Sequence, residues 1–470
     1  MSASRPWAIL TLLVIAETIS GFEGSMMLAG LGAWMRQYHD PIGVGWIVSS
    51  FFLVQAASAA LLATLGDRFG RKLMLVIALA GALVGSLISA FAPSLSWIIV
   101  GRAVQGMAGA LLPLCVGLAR EQLPAERLPF AVGVIAAAAA ISSAGGFMVG
   151  GVITDHFGPQ QMFVAGAAAA AVALLLSAAF LPSSRPKHEL KQLDILGGLL
   201  FVPGVTGLLL VLSNLGTWPA AVLWGVGLAC LGLLGIWWLH ERRHPVPLID
   251  VGLFASRDVR LANLVLGSCA LGAMGITQVS SILLQQDPGT GAGFGLSATI
   301  VGTLKLPMLI VGTLSSVWAG WASGRWSLSL PIVVGSAALV LGLGIGTIDH
   351  DALWLVILAV VVSNAGTTAL FAGVPNVVVA AAPDQRTSEA VGLSQVVRHV
   401  FQAVGAQCIA VLLAASTVAV PGGHGGVPSG RAFTLVFAFM TLASLISLGA
   451  ALTLRRGKGV RPAADAIAAI

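Results

Sequence analysis

Apolar residues run almost without interruption for twenty or more positions at a time, and the charged ones collect in the short gaps between. A helix that crosses a bilayer needs about 20 mostly apolar residues. Runs of that length centre on 8–30, 43–65, 73–93, 97–119, 129–154 and 162–182. A basic stretch, SSRPKHELKQLD, follows, and then two further runs at 195–214 and 219–240. After a second charged stretch, HERRHPVPLIDVGLFASRDVR, six more runs lie at 261–285, 297–323, 328–348, 352–382, 389–416 and 432–454. The pattern predicts an all-α integral membrane protein with fourteen transmembrane helices grouped as six, two and six. Its expected parts are a six-helix bundle over 1–183, a linker with two extra helices over 184–258, a second six-helix bundle over 259–456, and a tail over 457–470. The first run has one base ahead of it, holds Glu17 and Glu23, and has many spans behind it, so it reads as a retained span.

The gap that breaks the pattern most sharply is GDRFGRK, Gly66 to Lys72. An acid and three bases in seven positions cannot sit in hydrocarbon, so this stretch predicts a short hairpin at a membrane face. The basic clusters Arg68–Lys72, Arg185–Lys191, Arg242–Arg260 and Arg455–Arg461 all fall on one side of the expected topology, against Arg36 and Arg431 on the other. That asymmetry places both termini in the cytoplasm.

Composition agrees. The AVILMFWYC set makes up 57% of 470 residues, charged residues 9%, and mean hydropathy is +0.96, which excludes a soluble core with a polar shell. The net charge of +6 sits in the short loops and reads as topology, not as a nucleic-acid surface. Fifty-eight glycines in this background read as close helix packing. The cysteines, Cys115, Cys230, Cys269 and Cys408, lie inside apolar runs and form neither a disulfide framework nor a zinc site. His240 and His244 have helical spacing in HERRH, but with two adjacent arginines and no third ligand they read as a solvated loop. No Walker loop, GxSxG elbow or HExxH is present, so neither ATP-driven nor enzymatic chemistry is expected, and no metal or cofactor.

A faint repeat, ATLGDRFG at Ala63 to Gly70 against GWASGRWS at Gly320 to Ser327, suggests a duplicated bundle. With its motifs in view, the chain resembles the major facilitator superfamily, and in helix count its fourteen-helix drug:proton antiporter branch. The pattern GxLaDRxGRK matches Ala63 to Lys72 at all but its first glycine. The resemblance implies that Gly66, Asp67, Arg68, Gly70, Arg71 and Lys72 form a conformational latch, with Asp67 facing a helix that begins at Thr387 to Gly392. A second motif resembles RAVQGMAGA in the fourth span, where Arg102, Gln105, Gly106 and Gly109 share one helical face. The fifth-span signature GPxxGG resembles GFMVGG, whose Gly146, Gly150 and Gly151 keep the close packing although Phe147 replaces the proline. In the first span FEGSMMLAGLG is similar to the branch's LDxTxVxxALP, with Glu23 on the acid.

A mid-membrane arginine is costly by about 2.5 kcal/mol or more unless it faces a cavity or a partner. Arg102 is therefore expected to sense the charge of a proton-coupling carboxylate, Glu23, with Glu17 assisting. Gln55, Gln105, Asn263, Gln278, Asn364 and Asn376 are candidates for a central substrate cavity, or for hydrogen bonds between helices. Lys305, inside GTLKLPML, should pair with an acid or receive an anionic substrate. The expected activity is proton-coupled export of an amphipathic organic compound from a bacterial-type inner membrane by a monomer. The alternatives are transport of organic anions such as aromatic acids, lipid export, and a non-transporting receptor.

Overall fold

The computed structural model describes residues 5–124, 127–184, 194–215, 217–244, 247, 251–381, 387–419 and 426–456. Among these, fourteen helices are long and apolar enough to cross a membrane. The first six are Pro6–Ala29, Pro41–Ala63, Arg71–Ala90, Leu95–Gln122, Gly133–Phe157 and Gln161–Phe180. The seventh and eighth are Leu196–Ser213 and Ala220–Arg243, and the last six are Arg257–Gln285, Ala298–Arg325, Leu330–Ile348, Leu353–Ala381, Ala390–Ala414 and Gly430–Leu454.

The chain divides into two compact units. One comprises Met1–Tyr38, Gly43–Ile249 and Ser297–Thr303; the other comprises His39–Ile42, Asp250–Leu296 and Leu304–Ile470. In the first unit, Leu13 of the first span packs in one apolar cluster with Leu75 and Leu79 of the third and Leu111 and Leu114 of the fourth. Backbones approach closely where glycine leaves room: a Cβ at Gly101 would strike the Gly85 carbonyl and the Ser89 amide. Lipid supplies no hydrophobic drive between helices, so such contacts are how spans associate.

The second unit uses the same device. Gly335 and Gly366 pack backbone to backbone, and Gly405 lies against the Leu271 carbonyl. Hydroxyl pairs tie its spans together, Ser336 to Ser447 and Thr347 to Thr441, each at 3.0 Å. Thr417–Ala419 pairs antiparallel with Gly426–Pro428 between the last two spans. This two-stranded ribbon is a small departure from the all-helical expectation, and it satisfies backbone groups that no helix covers there.

Three spans are interrupted. The fourth changes to a 3₁₀ turn at Gly106–Ala110, the ninth at Ala273–Gly275, and the tenth breaks at Lys305, between Ala298–Leu304 and Leu306–Arg325. Pro307 lies in the first turn after that last break and has no N–H to continue the ladder.

Candidate functional site

The first span carries two carboxylates through hydrocarbon depth. Glu23 is 1% exposed and Glu17 is 2% exposed, so both turn into the first unit rather than toward lipid. Glu23 Oε1 accepts the hydroxyl of Ser86, in the third span, at 2.8 Å. Ser86 Oγ accepts Gln105 Nε2 at 2.6 Å, and Gln105 Oε1 accepts Arg102 Nη1 at 2.8 Å. Each donor in this chain points toward the carboxylate, so the bonds polarise one another in the same sense. Arg102 and the Glu23 carboxylate form no direct ion pair; Gln105 and Ser86 stand between them. Glu23 Oε2 is buried without a hydrogen-bond partner, and it is the atom on which a proton would sit.

Arg102 is buried at 2% exposure and does not snorkel to a membrane face. Its Nε donates to the Ile47 carbonyl at 3.2 Å, its Nη1 reaches the Glu23 carbonyl at 3.4 Å, and its guanidinium lies 4.1 Å from the Phe51 ring centre. Gly106 and Gly109 continue along the second span, where added Cβ atoms would meet the Phe51 carbonyl and Gln55. Gln55 is thus held under Gly109, with its Oε1 buried and without a hydrogen-bond partner.

The fifth-span glycines bear on the same place. A Cβ at Gly146 would strike the Phe22 carbonyl and Ser25 Oγ, and one at Gly150 would strike the Met26 carbonyl. These two glycines therefore seat the fifth span on the residues flanking Glu23. Gly151 packs instead on the backbone of Ala298 and Thr299. Glu17 lies six residues before Glu23, about 9 Å along the helix axis, outside the Glu23–Ser86–Gln105–Arg102 chain.

The candidates in the second unit do not converge in the same way. Lys305 is buried, and its ammonium donates to the Thr277 carbonyl at 3.0 Å and to the Ser281 hydroxyl. Asn263 donates to Val259 O of its own helix at 2.9 Å, and Asn364 donates to Met308 O of the tenth span at 2.7 Å. These are helix-packing bonds. Gln278 is buried, whereas Asn376 is exposed and bonds the Ala372 carbonyl of its own turn.

The basic hairpin is tighter than the sequence suggests. The helix that begins at Pro41 runs through Phe69, and the next begins at Arg71, leaving Gly70 alone as the turn with φ of 104°. Only glycine adopts that conformation readily. Arg71 Nη1 donates to the Gly117 carbonyl at 2.6 Å, and Gly66 is packed against Leu114 and Arg71. Lys72 donates to the Leu181 carbonyl at 2.5 Å. These contacts lie within the first unit. The side chains of Asp67, Arg68 and Thr387 lie outside the described residues.

Residues 13–193 match the Major Facilitator Superfamily profile. Over those residues the chain is similar to that superfamily. It is 24% identical over 266 residues to an uncharacterized MFS-type transporter, YvkA, of Bacillus subtilis, covering 56% of this chain and 59% of that one. It thus spans about three fifths of that relative's length. It is also 26% identical over 424 residues to the tetracenomycin C resistance and export protein of Streptomyces glaucescens, covering 87% of this chain and 76% of that one. Among solved structures, a D-xylose-proton symporter aligns with a TM-score of 0.68 at 13% identity, covering 98% of this chain and 99% of that one. The described spans share the all-α membrane fold of that solved structure.

Two features of this protein were not visible in the sequence. Asp155, at the end of the fifth span, accepts the Ala298 amide at 2.9 Å and the Thr299 amide at 2.7 Å, an anion on the first turn of a helix. In the thirteenth span, Arg398 Nη2 meets His399 Nε2 at 3.0 Å and stacks 5.2 Å from the Phe371 ring centre. An arginine within an apolar run was the available signal for the second. Nothing local marked the first, because its partner lies more than 140 residues away.

Proposed function

We propose that this transporter is a proton-coupled exporter of amphipathic organic compounds in the fourteen-helix drug:proton antiporter branch. Its carrying observation is the buried chain from Arg102 through Gln105 and Ser86 to Glu23. A carboxylate in a low-dielectric site is stable when a nearby cation and directed donors stabilise its charge, and it gains a proton when they do not. Proton uptake at Glu23 removes the anion that the three donors serve, which weakens the hold of the third and fourth spans on the first. Substrate would favour the deprotonated arrangement, so the two loads compete and exchange becomes obligatory. Export is supported by the similarity to the tetracenomycin exporter, whose alignment runs over most of this chain.

In this reading transport proceeds by alternating access, the protein works as a monomer in a bacterial-type inner membrane, and both termini are cytoplasmic, in keeping with the basic inner loops. The Gly66–Lys72 hairpin serves as the latch of one end state. Its energy source is the proton gradient, with no cofactor. The decisive measurement is transport of organic cations by inverted vesicles with and without a pH gradient, for the natural protein and for Glu23→Gln. The variant should bind substrate yet lose gradient-driven movement; full coupling in it would remove Glu23 from the mechanism. Anion transport through Lys305 is the weaker reading, because its ammonium is already engaged by Thr277 and Ser281.

A further inference from the structure

The two extra helices meet at one end in a cluster of side chains that transport does not use. His240 and His244 are one helical turn apart at the end of the eighth span, within the pentapeptide His-Glu-Arg-Arg-His. Their rings lie 5.2 Å apart, centre to centre. Asp194, which caps the seventh span by accepting the Gly197 amide at 2.7 Å, lies beside them. His240 Nε2 is 2.7 Å from Asp194 Oδ1. One nitrogen from each histidine and one oxygen of Asp194 all fall within 4.8 Å of one another. The third ligand that the histidine pair lacks in the sequence is therefore supplied from 46 positions upstream.

Two further observations point to a cation. Asp194 is 5% exposed, and its Oδ2 is buried with no hydrogen-bond partner. Glu241 is 2% exposed, and the same added Cβ at Gly197 would strike both Asp194 Oδ2 and Glu241 Oε1. Two carboxylates thus stand side by side in a buried place. Like charges so placed call for a bound cation or a shared proton. Glu241 is itself steadied by the Trp237 indole N–H at 3.0 Å, and Trp237 packs 4.8 Å from Phe201 of the seventh span.

We propose that Asp194, His240 and His244 bind a divalent transition metal of the zinc type, which clips the end of the seventh span to the end of the eighth. Nitrogen and oxygen ligands at about 2.1 Å in a tetrahedron stand about 3.4 Å apart. The separations here bracket that value, so small side-chain rotations close the shell and leave the fourth position to water. Glu241 flanks the site as the neighbouring carboxylate that orients and charges it. The clip helps to keep two helices together where the eighth has little burial of its own.

The test uses the full-length protein without a polyhistidine tag, purified in detergent, stripped with a chelator and dialysed. Co²⁺ is titrated and followed by visible absorption, and Zn²⁺ by calorimetry. One saturable equivalent with tetrahedral cobalt bands is expected. Affinity should fall about 100-fold in His244→Gln, a change at the end of a helix, and similarly in Asp194→Asn. Zinc should also raise the melting temperature of the natural protein and leave that of His244→Gln where it was. Absence of saturable binding overturns the proposal. So does affinity unchanged in both variants, which would mark an adventitious ion only.

Discussion

Each unit buries a charge, and the two do so differently. In the first unit Arg102 ends a chain of three side chains that leads to Glu23, so an acid and a base are joined through Gln105 and Ser86. In the second, Lys305 sits at a break in the tenth span and spends its donors on a backbone carbonyl and a hydroxyl. The first arrangement changes when one proton arrives, because its last acceptor is titratable. The second contains no titratable acceptor in these two bonds and holds a bend. Burial of a charge is thus common to both units, and what distinguishes a switch from a brace is the chemistry of the acceptor.

The largest effect that would break this contrast comes from Glu23→Gln. It should lower proton-driven transport by about 100-fold or more, the range of a lost proton-transfer group, while substrate binding stays measurable. Next, Arg102→Ala strands the buried Glu23 carboxylate and should destabilise the protein by about 3–5 kcal/mol, read as a lower melting temperature in detergent. Combined with Glu23→Gln, it should cost less than the two single changes added together, and simple additivity would mean that the groups are not coupled. A third change tests the seat beneath Glu23: Gly150→Leu drives a side chain into the Met26 carbonyl and should cost about 1–3 kcal/mol and reduce coupling. The smallest effect is expected from Lys305→Met. Organic-cation transport should stay within about threefold of the natural rate, since the change removes roughly one or two ordinary hydrogen bonds. Collapse of transport in that variant would turn Lys305 from a brace into part of the cargo site.

Most of the fold was legible because lipid leaves little choice. Twenty apolar residues in a row must be a helix, and the count of fourteen follows. Glu23, Glu17 and Arg102 were legible for the same reason, since a charge inside such a run stands out. Their relation was not. That Gln105 and Ser86 mediate between Glu23 and Arg102 depends on how the first, third and fourth spans pack, and Ser86 carries no mark in the sequence. The single-residue turn at Gly70 was hidden because charged residues suggest a loop, yet Asp67 and Arg68 belong to a helix that extends past the apolar run. Asp155 and Asp194 were missed because each finds its partners far along the chain.

The joint at Gly70 has a mechanical consequence. With one residue between them, the second and third spans cannot separate at that end, so the two helix ends on either side of Gly70 must move together. Two spin labels placed on them close to this joint should keep the same distance throughout a transport cycle, and any change in the angle between the two helices must turn about this one glycine.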